Sequence, residues 1–236
     1  MKKLALAVLC LSMVGTLSAQ NQLRNGGFES WDGESQQFEP THWNSTLTAS
    51  GSGLAYKFGR VKQFEKSQDV RPGTSGKYSL LIKTVKIQGT LINGCMSTGQ
   101  FNVQNLKASH CSNHTITRTD NALYNEPFTA KPKAVRFWAK FESQDASMNA
   151  FACFVLHDNY NYCVKPGFDK ESAKHVVAEA YSKINGKEWK EYTIPLEYGN
   201  SSLTPAFMHV LFMTNENEDL GNEGDRLLVD DIEFIY

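Results

Sequence analysis

An indole set between two cations is the pattern in this chain best suited to chemistry. It lies in Val135-Arg136-Phe137-Trp138-Ala139-Lys140-Phe141. Side chains alternate across a strand, so Arg136, Trp138 and Lys140 share one face and the apolar residues take the other. Such a face suits a pyranose, whose C–H groups pack on the ring while its hydroxyls meet the cations. The arginine would equally suit the carboxylate of an acidic sugar. The same spacing also fits a tryptophan packed under a loop, with its neighbours extending their charged ends to water.

Two further clusters carry polar groups at close spacing. His157-Asp158-Asn159-Tyr160-Asn161-Tyr162 reads as a hairpin tip, from which His157, Asp158 and Tyr160 could reach a ligand. Asp and Asn also serve a turn for its own sake. Glu29 sits in Asn25-Gly26-Gly27-Phe28-Glu29-Ser30-Trp31, and Asp230 and Asp231 sit in Leu228-Val229-Asp230-Asp231-Ile232-Glu233-Phe234-Ile235-Tyr236. Both segments set aromatic and branched residues at strand spacing, which predicts first and last strands that lie close together.

Catalysis finds no support in motifs. Hydrolysis of a glycoside needs two carboxyl groups roughly 5–10 Å apart. With 25 acidic residues some such pair is inevitable, so their presence decides nothing. His110 and His114 are four apart but flank Cys111 in a polar loop, not on a clear helix. There is no GxSxG elbow, phosphate loop or dinucleotide fingerprint.

The elements that must position these residues are mostly strands. Alternating runs cover 78–84, 135–141, 150–156, 189–196, 208–214 and 227–236, separated by Gly-, Pro- and Asn-rich turns. That pattern predicts an all-β sandwich or jelly roll. One segment conflicts: Ala173, Val176, Val177, Ala180, Tyr181 and Ile184 recur at helical spacing, with Asp169 as a candidate cap. The composition of this 236-residue chain is ordinary for a globular domain, and no linker or repeat divides it. A net charge of −1 gives no reason to expect nucleic acid or an anionic membrane as partner.

Lys2 and Lys3, the apolar stretch 4–17 and Leu17-Ser18-Ala19 read as a signal peptide over residues 1–19, leaving a domain over 20–236. The apolar run is too short to span a membrane. Export to the periplasm, cell surface or medium follows, and it puts Cys95, Cys111, Cys153 and Cys163 in an oxidising compartment. Four cysteines allow three pairings. Cys153 with Cys163 would close a hairpin and Cys95 with Cys111 a loop, both structural, since the spacing fits neither a zinc knuckle nor a redox pair.

Several segments in order carry a family resemblance. They are Gly27–Trp31, Pro40-Thr41-His42-Trp43, Gly76–Thr84, Ile92-Asn93-Gly94, Pro127–Val135, Trp189–Tyr198 and Leu228–Ile232. This set resembles the "putative carbohydrate metabolism domain" family of secreted Bacteroidota proteins, and the paired termini resemble those of jelly-roll carbohydrate-binding modules. The resemblance implies a galactose-binding-like jelly roll in one domain and a link to glycans. It also implies a structural calcium on Glu29, Asp230 and Asp231, although those carboxylates could instead face solvent. Trp31 and Trp43 match family positions and are expected to pack in the core or at its rim. In place of the family's Tyr-Tyr-Lys-Tyr-like strand stands Phe137-Trp138-Ala139-Lys140-Phe141. The resemblance also argues for a strand, not a helix, over about 175–181.

The expectation is therefore an exported, non-catalytic module binding an oligo- or polysaccharide through Arg136, Trp138 and Lys140. The alternatives are a glycoside hydrolase or lyase on the same fold, and an adhesin or scaffold domain that binds protein.

Overall fold

The computed structural model describes residues 21–33, 38–167, 169–199 and 202–236; the segment read as a signal peptide lies outside them. The described chain forms sixteen strands. The first eight are short: β1 (Ser50–Gly51), β2 (Phe64–Ser67), β3 (Ser79–Lys83), β4 (Val85–Ile87), β5 (Thr90–Ile92), β6 (Cys95–Ser97), β7 (Gln100–Val103) and β8 (His114–Ile116). The second half holds the long ones, with two-residue β11 and β14 between them: β9 (Ala134–Glu142), β10 (Ala150–His157), β11 (Cys163–Val164), β12 (Val176–Ile184), β13 (Lys190–Pro195), β14 (Glu197–Tyr198), β15 (Phe207–Met213) and β16 (Arg226–Ile235). One short helix, α1 (Gly53–Gly59), follows β1.

Two five-stranded sheets face each other, in orders β14-β12-β10-β15-β6 and β13-β9-β16-β3-β2. Successive long strands cross between them except β10 and β12, which pair in one sheet, and the fold is an all-β jelly-roll sandwich. The alternation in β9 does what its sequence predicts. Val135, Phe137, Ala139 and Phe141 are buried, while Arg136, Trp138 and Lys140 lie on the outer face. Phe137 stacks on Tyr192 at 5.3 Å and meets Phe212 edge-on, and Phe154 meets the same Phe212 ring at 89°. Buried rings of this size dominate a core's energetics. Trp43 belongs to this core, and Trp31 packs against it.

The termini do meet, but the first segment is a turn. The Ile232 N–H donates to the Gly26 carbonyl at 2.9 Å, and the Gln22 amide pairs with the backbone of Phe234.

The ambiguous segment is a strand, preceded only by a single 3-10 turn over Ser172–His175. The β10–β12 register skips Val177 between the pairs His157↔Val176 and Leu156↔Ala178. Val177 is thus an extra residue, and both it and Ala178 turn inward to the core. A bulge shifts a period-2 pattern by one residue, and here the shifted pattern mimics helical spacing.

A third sheet, β1-β7-β8-β11, lies over part of the outer face of β10 and β15. Phe101, Tyr162 and Ala49 pack there against Cys153, Val155 and Leu211 in a second, smaller core.

Candidate functional site

The outer face of β9 gathers Arg136, Trp138 and Lys140, and their charges are already met. Arg136 pairs with Glu233, its cross-strand neighbour, at 2.5 Å. Lys140 pairs with Asp69 and, at 3.2 Å, with Glu142. Burial alone would lower the Lys140 pKa, but those two carboxylates raise it above the ordinary lysine value. Trp138 lies under the Arg71 guanidinium, 5.4 Å from its ring. Trp189 donates its indole N–H to Asp69 at 2.9 Å. The three residues do share one face, but that face is neutralised from within.

The acidic corner lies beside it. A bulge in β16 between Asp230 and Glu233 leaves Asp230 fully buried and puts Asp231 at φ 45°, in the left-handed region. The Asp231 carboxylate accepts from Arg71 Nε and from the Thr74 hydroxyl at 2.9 Å, while Asp230 accepts from the Arg71 and Asp231 backbone N–H groups. Glu29 accepts from the backbone N–H groups of Lys77 and Tyr78. Burial, reinforced by the neighbouring Asp231 charge, pushes the Asp230 pKa up to about 6. Calcium would need six to eight oxygens around it. In this structure N–H and O–H donors and a guanidinium engage at least one oxygen of each carboxylate. Among the described residues no three His, Cys, Asp or Glu side chains group so as to hold a metal ion.

The 157–162 segment is not the tip of a hairpin, because β10 pairs with β12 and β15 while β11 joins the third sheet. His157 is fully buried. Its Nδ1–H donates to the Asp158 carbonyl at 2.8 Å, which leaves Nε2 to accept from the Thr117 hydroxyl at 3.1 Å. Thr117 in turn accepts from Nδ1 of His209, whose Nε2 meets Thr115. This chain of neutral rings and hydroxyls ties the third sheet to the sandwich. Burial pushes the pKa of His157 down to about 4 and that of His209 to about 3. Asp158 and Tyr160 are spent on His175, the first hydrogen-bonded to its Nδ1 at 3.0 Å and the second stacked at 3.7 Å.

The structure holds no disulfide among the described residues. Cys95, Cys111, Cys153 and Cys163 are all free thiols. Cys153 is buried on the outer face of β10 and Cys163 sits across from Ile116 on β11, so no hairpin brings them into register. Cys95 begins β6, opposite Met213, whereas Cys111 lies exposed in the loop before β8.

The feature that sequence reading did not anticipate is a cleft of about 630 Å³ over the uncovered part of the β10 face. Its size falls within the roughly 300–1,000 Å³ usual for small-ligand sites. Phe151, Cys153, Tyr181, Leu211 and Met213 line it from the sandwich, and Phe101 and Val103 from the third sheet. Leu91 and Leu106, both exposed, stand at its edge. Tyr181 is 46 % exposed and stacks on Phe151 at 6.0 Å and 23°. Its hydroxyl donates to Glu179 Oε2 at 2.8 Å, and Glu179 has no cation within ion-pair reach among the described residues. An aromatic pair beside an unpaired carboxylate, in a cleft lined by both apolar and polar side chains, is equipped to stack on a ring and accept from its donors.

No family model matches the chain, and no curated protein matches it either. Solved structures do. A "putative glycoside hydrolase" from Bacteroides thetaiotaomicron is similar over 89% of this chain and 70% of its own, with TM-score 0.61 and 14% identity. A second, from Bacteroides vulgatus, is similar over 89% of this chain and 96% of its own, with TM-score 0.58 and 13% identity. At such identities the likeness establishes the fold.

Proposed function

We infer that the protein is an exported, non-catalytic module that binds a glycan in the cleft between the β10 face and the third sheet. The observation that carries this reading is the Phe151–Tyr181 stack beside the uncompensated Glu179 carboxylate. The glycan class comes from the names of the two Bacteroides fold neighbours and from the sequence resemblance. Export rests on the signal-like first nineteen residues. Among the described residues no helix is long and apolar enough to cross a membrane. Recognition by stacking and a few hydrogen bonds gives modest affinity, on the order of micromolar or weaker.

A glycan array probed with the exported chain, Tyr181→Ala and Trp138→Ala tests this. Tyr181→Ala should lose binding by roughly thirtyfold or more, the cost of a central aromatic anchor. Trp138→Ala should stay close to the parent. The reverse order would move the site to the β9 face. Steady release of shortened product from a bound polysaccharide would overturn the non-catalytic reading.

A further inference from the structure

The charges around the cleft narrow the ligand class, on the reading that the cleft binds a sugar. Lys165 is paired with Asp169 at 3.2 Å, and Glu216 with Lys183 at 2.7 Å. His114 lines the same cleft, and burial pushes its pKa down, so its imidazole supplies no positive charge at neutral pH. Glu179 and Glu218 also line it, and no cation lies within ion-pair reach of either among the described residues. The β12–β14 register then sets Glu197 directly opposite Glu179. Like charges facing each other across neighbouring strands repel, and Glu197 likewise has no cation partner among the described residues. The cleft therefore carries uncompensated negative charge at one edge of an aromatic platform.

We propose that the cleft takes a sugar bearing a free amine, with its ammonium on Glu179 and its apolar ring face on Tyr181, and that it rejects uronic and sulfated sugars. Glu179 and Tyr181 are two residues apart on one face of β12, roughly 7 Å along the strand, about the reach of one pyranose and its substituent. A cation relieves the Glu179–Glu197 repulsion. An anion adds to it, and like-charge contact is an effective way to exclude a wrong partner. Glu218, on the loop after β15, offers a second acceptor for the next aminated residue of an oligomer.

Calorimetric titration at pH 6 with a fully deacetylated chitosan oligomer, its N-acetylated counterpart and an oligogalacturonate separates the cases. The aminated oligomer should bind roughly tenfold or more tighter than the acetylated one, and the galacturonate not measurably. The preference should shrink with added salt, as screening of partly exposed charge requires. In Glu179→Gln it should fall to roughly threefold or less, while Tyr181→Ala weakens both oligomers. Equal binding of the two chitin-derived oligomers, lost in Tyr181→Ala, overturns the amine preference and leaves the sugar cleft standing. A preference that survives in the Glu179→Gln/Glu218→Gln double variant overturns the assignment to these carboxylates. A chain silent to all three that still binds a neutral glycan on the array overturns the charge inference alone. Silence to every glycan overturns both readings.

Discussion

The two outer faces of this sandwich solve the same problem in opposite ways. Each sheet must present one side to water or to a cover, and each carries aromatic residues there. On the β9 face every cation has a carboxylate partner, and Trp138 is roofed by Arg71. Exposed pairs of that kind contribute little, about 0–1 kcal/mol each. They leave nothing for a ligand to satisfy. On the β10 face a second hydrophobic layer covers half the sheet and stops short, leaving Tyr181, Phe151 and an unpaired Glu179 in a cleft. Charged aromatic composition draws attention in a sequence, but unmet interaction capacity is what marks a site.

The largest effect should come from what the faces share. Phe212 touches rings from both sheets, and Phe212→Ala should cost about 3–5 kcal/mol. Chemical denaturation should show one transition shifted whole. Two transitions would mean that the sheets are energetically separable.

Acid should act on the two faces with opposite sign. His157 and His209 have pKa values of about 4 and about 3 in the fold against 6.5 ordinarily. Their neutral rings contribute stability in full above pH 6.5, and it is lost as pH falls towards 4 and then 3. Asp230 is the reverse case: with its pKa raised to about 6, it costs stability above pH 6 and that cost fades as pH falls towards 3.8. Two buried histidines against one carboxyl predict a net loss on the order of a few kcal/mol between pH 6.5 and 4. Because the imidazoles anchor the third sheet, glycan binding should fall over the same range. Asp230→Asn should steepen the loss, and a flat stability profile would dismiss the histidine chain as an anchor.

Most of the sandwich was legible because long strands such as β9 alternate cleanly. The β12 pattern misled because Val177 is an extra residue, and a single bulge turns alternation into apparent helical spacing. The third sheet was not legible at all. Its strands are two to four residues long, too short for any period, and their pairing depends on a distant partner. The site inherits that blindness, since the cleft exists only where the third sheet ends. One signal was nevertheless available: once the strand reading is adopted, Glu179 and Tyr181 must share a face. Arg136, Trp138 and Lys140 were correctly placed together. What their sequence could not display was the ion-pair partner each would find, since Glu233 and Asp69 lie far along the chain.

The smallest expected effect bears on the cysteines, which divide between the cleft and the loop outside it. Cys95, Cys153 and Cys163 line the cleft, and burial pushes the Cys163 thiol up to about 11 and the Cys95 thiol to about 12. Protonated, shielded thiols react slowly, because the thiolate is the nucleophile. Among the described cysteines, exposed Cys111 should therefore be the one alkylated rapidly in the folded chain, with the other three modified only on unfolding. Mass spectrometry after brief maleimide treatment counts them. A strong reductant should leave both the thermal midpoint and the glycan affinity unchanged. A disulfide would instead contribute about 2–4 kcal/mol, so its reduction would lower the midpoint by several degrees. If that drop came with altered glycan binding, a Cys153–Cys163 bond would be bracing the cleft wall, and the β10 face would be held by covalent chemistry and not by packing alone.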